Sequence, residues 1–137
     1  MKESTLTHLK KQGYRITKTR RLLLEIFQSE PKPQTEIQLR QKLAQVGVSV
    51  NKTTVYRELA QLQGQHIIRQ VNFSDGKKRF ELDQGHHHHF ICQNCLKIFD
   101  VNLKDCKLLE KQINKQKKIH IINHSLEFFG LCAQCNN

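Results

Sequence analysis

The chain has 137 residues, 37% of them apolar, which is room for one ordinary domain or two small ones. No apolar run nears the ~18–20 residues of a membrane span, and the N-terminal MKESTLTHLKKQG lacks the apolar stretch of a signal peptide, so a soluble, cytoplasmic protein with no membrane partner is expected. Lys and Arg number 23 against 12 Asp and Glu, a formal net charge of +11, which favours a polyanionic partner over a small neutral substrate.

Helices are predicted over Ser4–Lys11, Thr17–Gln28, Thr35–Val46 and Asn51–Gln63, separated by Gly13, by Pro31 with Pro33, and by Gly47. In the last of them Val55, Leu59 and Leu62 recur at helical spacing and define a buried stripe. Thr53 and Arg57 then lie nearly opposite the stripe, with Thr54 and Tyr56 on its flanks. Hydroxyls, a phenol and a guanidinium on an outward helix face suit phosphates and base edges. The third helix, a GVSV turn and the fourth helix have the spacing of a helix-turn-helix. Strands follow at Ile67–Phe73 and Lys78–Leu82, joined by SDGK. Asp-Gly between such runs signals a hairpin, here a wing carrying Lys77, Lys78 and Arg79. Arg20, Arg21, Lys77 and Arg79 are expected to contact phosphates, whereas Lys10, Lys11 and Lys42 read as solvated surface charge.

Charge and metal-binding chemistry divide near Leu82. Residues 1–82 carry a net +9 and residues 83–137 only +2, while the latter hold all five cysteines and six of the eight histidines. A winged-helix domain over 1–82 and a metal-binding domain over 83–137 are expected, giving an α+β chain. Cys92/Cys95 and Cys132/Cys135 form two CxxC knuckles separated by 36 residues, the ligand type, number and spacing of a closed structural zinc site. Cys106 is left over and reads as a small apolar residue on a helix. The internal run HHHHFIC alternates if it is a strand, so His87 and His89 share one face and His86 and His88 the other. Glu81 and Asp100 are carboxylate partners for the first face, and His124 is an imidazole partner for the second. Asn102–Lys118 is predicted as a helix, and IHII (119–122) and SLEFF (125–129) as strands.

A zinc hydrolase or deaminase would also combine His, Cys and Glu, but there is neither an HExxH helix nor an HxE with PCxxC. A closed cysteine site leaves no position for substrate, and the basic half has no enzymatic explanation, so no enzyme is expected. A metal-storage module would not need a winged helix.

The stretches GYRITKTR, KTTVYRELAQL, KRFEL, HHHHFICQNC and HSLEFFGLCAQC, in this order, resemble the ferric-uptake-regulator family of bacterial metal-dependent repressors over nearly the whole chain. The resemblance implies an N-terminal winged helix, a C-terminal α/β dimerisation domain with a four-cysteine zinc site, and a homodimer on an A/T-rich inverted repeat of double-stranded DNA. It implies major-groove contacts for Tyr56 and Arg57 and a minor-groove contact for Arg15. It also implies a regulatory metal at Glu81, His87, His89 and Asp100. Lys32 stands where iron-sensing members place a helical His, and His66 is a candidate replacement. On the second face His86 and His124 match the family, but His88 stands where Asp is usual and Lys107 where an acidic ligand is usual. Peroxide-sensing members carry Asp where this chain has Glu81. An imidazole-rich set favours zinc over ferrous iron as the sensed metal, with the iron-sensing branch as the alternative.

Overall fold

The computed structural model describes residues 2–137, with side chains from Thr5 onward. It divides into two compact units, Met1–Gln84 and Gly85–Asn137.

In the first unit the helix starts are written in the sequence as side-chain caps. Thr17 accepts from the Arg20 amide ahead of α2 (Lys18–Ser29), and Asn51 accepts from the Thr54 amide ahead of α4 (Lys52–Gly64). Thr35 and Gln38 form a reciprocal capping box at the start of α3 (Glu36–Gln45). Each cap satisfies amides that have no partner within the helix and contributes about 1 kcal/mol. The first helix, α1 (Lys2–Lys11), precedes α2 across Gly13. Between α3 and α4 the chain turns at Gly47, whose φ of +80° would strain any residue with a Cβ.

The apolar stripe of α4 (Val55, Leu59, Leu62) is fully buried against Leu9, Leu23, Phe27, Leu39 and Leu43, so α1 to α4 share one core. Three antiparallel strands complete the unit in the order β1 (Gln34–Thr35), β3 (Lys78–Leu82), β2 (Ile68–Asn72). The β2–β3 hairpin pairs Asn72 with Lys78, and its tip turns at Gly76 with φ +72°. Helix-turn-helix plus hairpin is a winged helix. The short β1 has no counterpart among the predicted strands. Gln34 and Thr35 pair with Phe80 and Arg79 because the two prolines leave this segment extended immediately before the α3 cap.

The second unit is built on β4 (His88–Cys92), which pairs antiparallel with β5 (Ile98–Val101) and parallel with β6 (Glu127–Gly130). Helix α5 (Cys106–Lys117) lies between β5 and β6 in the chain. Two elements differ from expectation. Residues 119–122 form no strand; they run outside any sheet, and Ile122 is 91% exposed. The helix begins at Cys106 rather than Asn102, because β5 takes the chain to Val101 and a turn follows.

Candidate DNA-binding face and metal centres

On the recognition helix α4, Thr53 and Arg57 are exposed and Thr54 and Tyr56 half-buried, as the periodicity predicts. Tyr56 is held edge-on to Phe80 of the wing strand, ring centroids 6.3 Å apart, and Lys52 Nζ lies 5.9 Å above its ring. The phenol is therefore positioned by the junction of helix and wing, not by α4 alone. Arg15 and Arg21 are exposed.

Arg20 does not have the expected role. It is 4% exposed, donating from Nε to Glu58 Oε2 at 2.7 Å, from Nη1 to the Arg15 carbonyl at 2.6 Å and from Nη2 to Gln61 Oε1. Three of its five N–H donors are engaged within the protein and the side chain is buried, away from where a phosphate could approach. Its place one turn into α2, facing α4, makes it a buried clamp that fixes the backbone at Arg15. At the wing tip Lys77 is exposed, but Arg79 is committed to Asp75 by two hydrogen bonds of 3.0 and 2.6 Å and stacks over Phe73. The Arg79 guanidinium holds the Asp75 carboxyl down at about 2.

In the second unit one sulfur from each of Cys92, Cys95, Cys132 and Cys135 falls within 4.8 Å of the other three, and all five cysteines are thiols rather than disulfides. Cys92 ends β4, where the turn to Leu96 closes through the Leu96 amide and the Cys92 carbonyl. The second knuckle follows β6 and closes the same way through the amides of Cys135 and Asn136. Parallel pairing of β4 with β6 brings these strand ends together. Backbone amides of Cys95 and Cys132 aim at the Cys92 sulfur and lower its pKa to about 6. Four clustered sulfurs, with backbone amides directed at those of Cys92 and Cys132, suit a tetrahedral zinc.

The histidine run divides by face. His87 and His89 lie together, rings 4.8 Å apart, and Asp100, opposite His89 in the β4–β5 register, brings Oδ1 to 3.8 Å from His89 Nε2. Glu81, in the first unit, is buried on β3 and ion-paired to Arg69 at 2.7 Å. On the other face one ligand atom each from His86, His88, His124 and Cys106 falls within 4.8 Å of the rest. Burial lowers the His88 pKa and the neighbouring His86 adds to the effect, which favours the neutral imidazole. Cys106, read from sequence as a packing residue, is buried at the start of α5, but its sulfur lies 3.1 Å from His88 Nε2. No knuckle spacing could have shown this, because its partners come from separate segments of the chain.

His66 is exposed just after α4, with a left-handed φ of +54°, and Lys32 is also exposed. Among the described residues no helix is long and apolar enough to cross a membrane.

A winged helix with a basic, hydroxyl-bearing recognition face, in one chain with a unit of clustered thiols and imidazoles, defines a metal-binding transcriptional regulator. The sequence profile described as "Ferric uptake regulator family" matches residues 11–129. The ferric uptake regulation proteins of Klebsiella pneumoniae and Escherichia coli K12 are each 35% identical over 130 residues, covering 93% of this chain and 84% and 88% of theirs. The structure of the ferric uptake regulator from Francisella tularensis with iron superposes with a TM-score of 0.80 at 29% identity, covering 91% of this chain and 96% of that one. The chain belongs to the ferric uptake regulator family and is a metal-responsive transcriptional regulator.

Proposed function

We propose that this regulator is a repressor that uses a metal as corepressor at metal-uptake promoters, with zinc favoured over ferrous iron. The observation that carries the reading is the division of chemistry along one chain: Thr53, Tyr56 and Arg57 on an exposed recognition helix, and imidazoles in pairs on both faces of β4. The regulatory set in this reading is Glu81, His87, His89 and Asp100, the residue types that hold a divalent transition metal. Metal occupancy would narrow the orientations the winged helices can take, so that two of them fit successive half-sites of an inverted repeat. A swing from 1:99 to 99:1 needs the metal to prefer the binding form by ~5.5 kcal/mol.

A homodimer is part of this reading. Leu108, Leu109 and Ile113 on α5 and Phe128 and Phe129 on β6 are exposed large apolar side chains of the second unit, the kind of surface a second copy covers. Arg15, Arg57 and Lys77 would supply the contacts to DNA, those to phosphate giving salt-sensitive affinity.

Ferrous iron is the second reading, favoured by the relatives named ferric uptake regulation proteins. Replacing both His87 and His89 by Ala tests the regulatory set. The variant should keep its knuckle zinc and low-salt binding to random duplex yet lose metal-dependent binding to its own promoter. Retention of a full metal response would remove these residues from the mechanism.

A further inference from the structure

The second face of β4 holds more than the three histidines expected there. His88 on β4 hydrogen-bonds through Nδ1 to the Leu126 carbonyl at 3.1 Å, which places the proton on Nδ1 and leaves Nε2 with a bare lone pair. That Nε2 lies 3.1 Å from His86 Nε2 and 3.1 Å from Cys106 Sγ. His124 Nδ1 is 2.7 Å from Glu110 Oε1, which fixes its tautomer the same way. Its Nε2 is buried and has no hydrogen-bond partner. An imidazole lone pair held in position, shielded from water and unpaired is costly unless something binds it. The carbonyl behind one ring and the carboxylate behind another are the outer-shell partners that metal-ligating histidines ordinarily have.

We propose that Cys106 is the fourth ligand of a tetrahedral metal site with His86, His88 and His124, a site that takes zinc or another thiolate-preferring divalent ion rather than iron or manganese. The proposal rests on the reading that these three histidines hold a metal, and adds the sulfur and the selectivity it brings. With metal–nitrogen bonds near 2.0–2.1 Å and a metal–sulfur bond near 2.3 Å, tetrahedral ligand atoms lie about 3.3–3.6 Å apart. The distances of 3.1 Å around His88 Nε2 need to open by only a few tenths of an ångström to meet that spacing. His88 and Cys106 are 4% and 7% exposed, so this side of the site cannot admit the extra waters an octahedral hard ion requires. Three neutral imidazoles and one thiolate form a soft, singly charged set, and soft sulfur selects for zinc.

The position of Cys106 also gives the site a structural consequence. It is the first residue of α5, whose N-cap Asp105 makes no side-chain hydrogen bond. A metal-bound thiolate there faces the positive end of the helix and ties α5 to β4 and to the segment before β6.

The test uses full-length protein holding one zinc per chain in the knuckles, titrated with Co(II) to saturation under anaerobic conditions, with zinc counted before and after. The expected spectrum has intense tetrahedral visible bands and a thiolate-to-cobalt charge-transfer band in the near ultraviolet. With the knuckle zinc retained, that sulfur can only come from Cys106. Cys106→Ser should lose the charge-transfer band and weaken cobalt affinity by more than the ~10–100-fold typical of removing an outer-shell partner. Absence of the band in wild-type protein at saturating cobalt would overturn the proposal without recourse to any variant. If a bound cobalt is then still counted and is lost in His88→Ala, the histidine reading survives without Cys106. If the cobalt count is unchanged in His88→Ala, both readings fail.

Discussion

Arg20 and Arg79 show how a basic residue in a DNA-binding sequence can also be engaged by the fold. Sequence reasoning places both at phosphates; the buried clamp on Glu58 and Gln61 and the bidentate pair with Asp75 engage them within the protein. Removing one partner of a buried, hydrogen-bonded ion pair is costly, so Arg20→Ala should destabilise the first unit by ~3 kcal/mol, read as a lowered midpoint of thermal unfolding. Arg21→Ala should leave stability unchanged and reduce the salt slope of DNA binding by about 1; the reverse pattern would exchange their roles. Asp75 supplies a pH signature. With its folded pKa lowered to about 2 from 3.8, the pair's contribution is complete above 3.8 and disappears as pH falls through 2. The Asp75 side chain is 42% exposed, so the stability effect is small. Carboxyl NMR of wild-type protein should titrate near the lower value and, in Arg79→Ala, near the higher. Tyr56→Ala should lower discrimination between operator and random duplex more than it lowers total DNA affinity. Equal losses on both would make the phenol a general contact.

At the scale of elements, what the sequence made legible were features with local causes. The helix starts at Thr17, Thr35 and Asn51, the Asp-Gly hairpin and the Val55/Leu59/Leu62 stripe each depend on a few neighbouring residues, and the corresponding helices and wing stand where they are predicted. The strand β5 escapes sequence reasoning because IFDV is short and its hairpin turns at Leu96, a non-glycine residue with φ +61° that carries no turn signal. Residues 119–122 have strand-like apolar character but no partner strand, and composition cannot supply one. The knuckles could be read because four ligands come in two local pairs. Cys106 could not, because it meets His88 and His124 only after β4, α5 and the segment before β6 are assembled. For the knuckles the expectation is direct. Cys92→Ser should lose the structural zinc and, since binding free energy at such sites is folding free energy, unfold the second unit or dissociate the dimer. A native, dimeric Cys92→Ser protein would contradict a structural role for that site.

Across the whole molecule the basic excess lies in residues 1–82, while all five cysteines and six of the eight histidines lie in residues 83–137, a division that suits a regulator whose metal controls DNA binding without touching DNA. The separate +9 and +2 charges of the two segments place the electrostatic attraction in the winged helix, so metal-free protein should still bind random duplex at low salt. Family membership supplies the class of regulator, while the ligand types of this chain argue for zinc. The measurement that tests this most directly is fluorescence anisotropy of the labelled promoter of the protein's own gene, beside a scrambled duplex, under anaerobic conditions. The knuckle-loaded protein would be titrated with buffered Zn(II) and, separately, Fe(II). Promoter affinity should rise at far lower free zinc than free iron, with the scrambled duplex unaffected. Promoter binding tuned to ferrous iron, or indifferent to both metals, would contradict it.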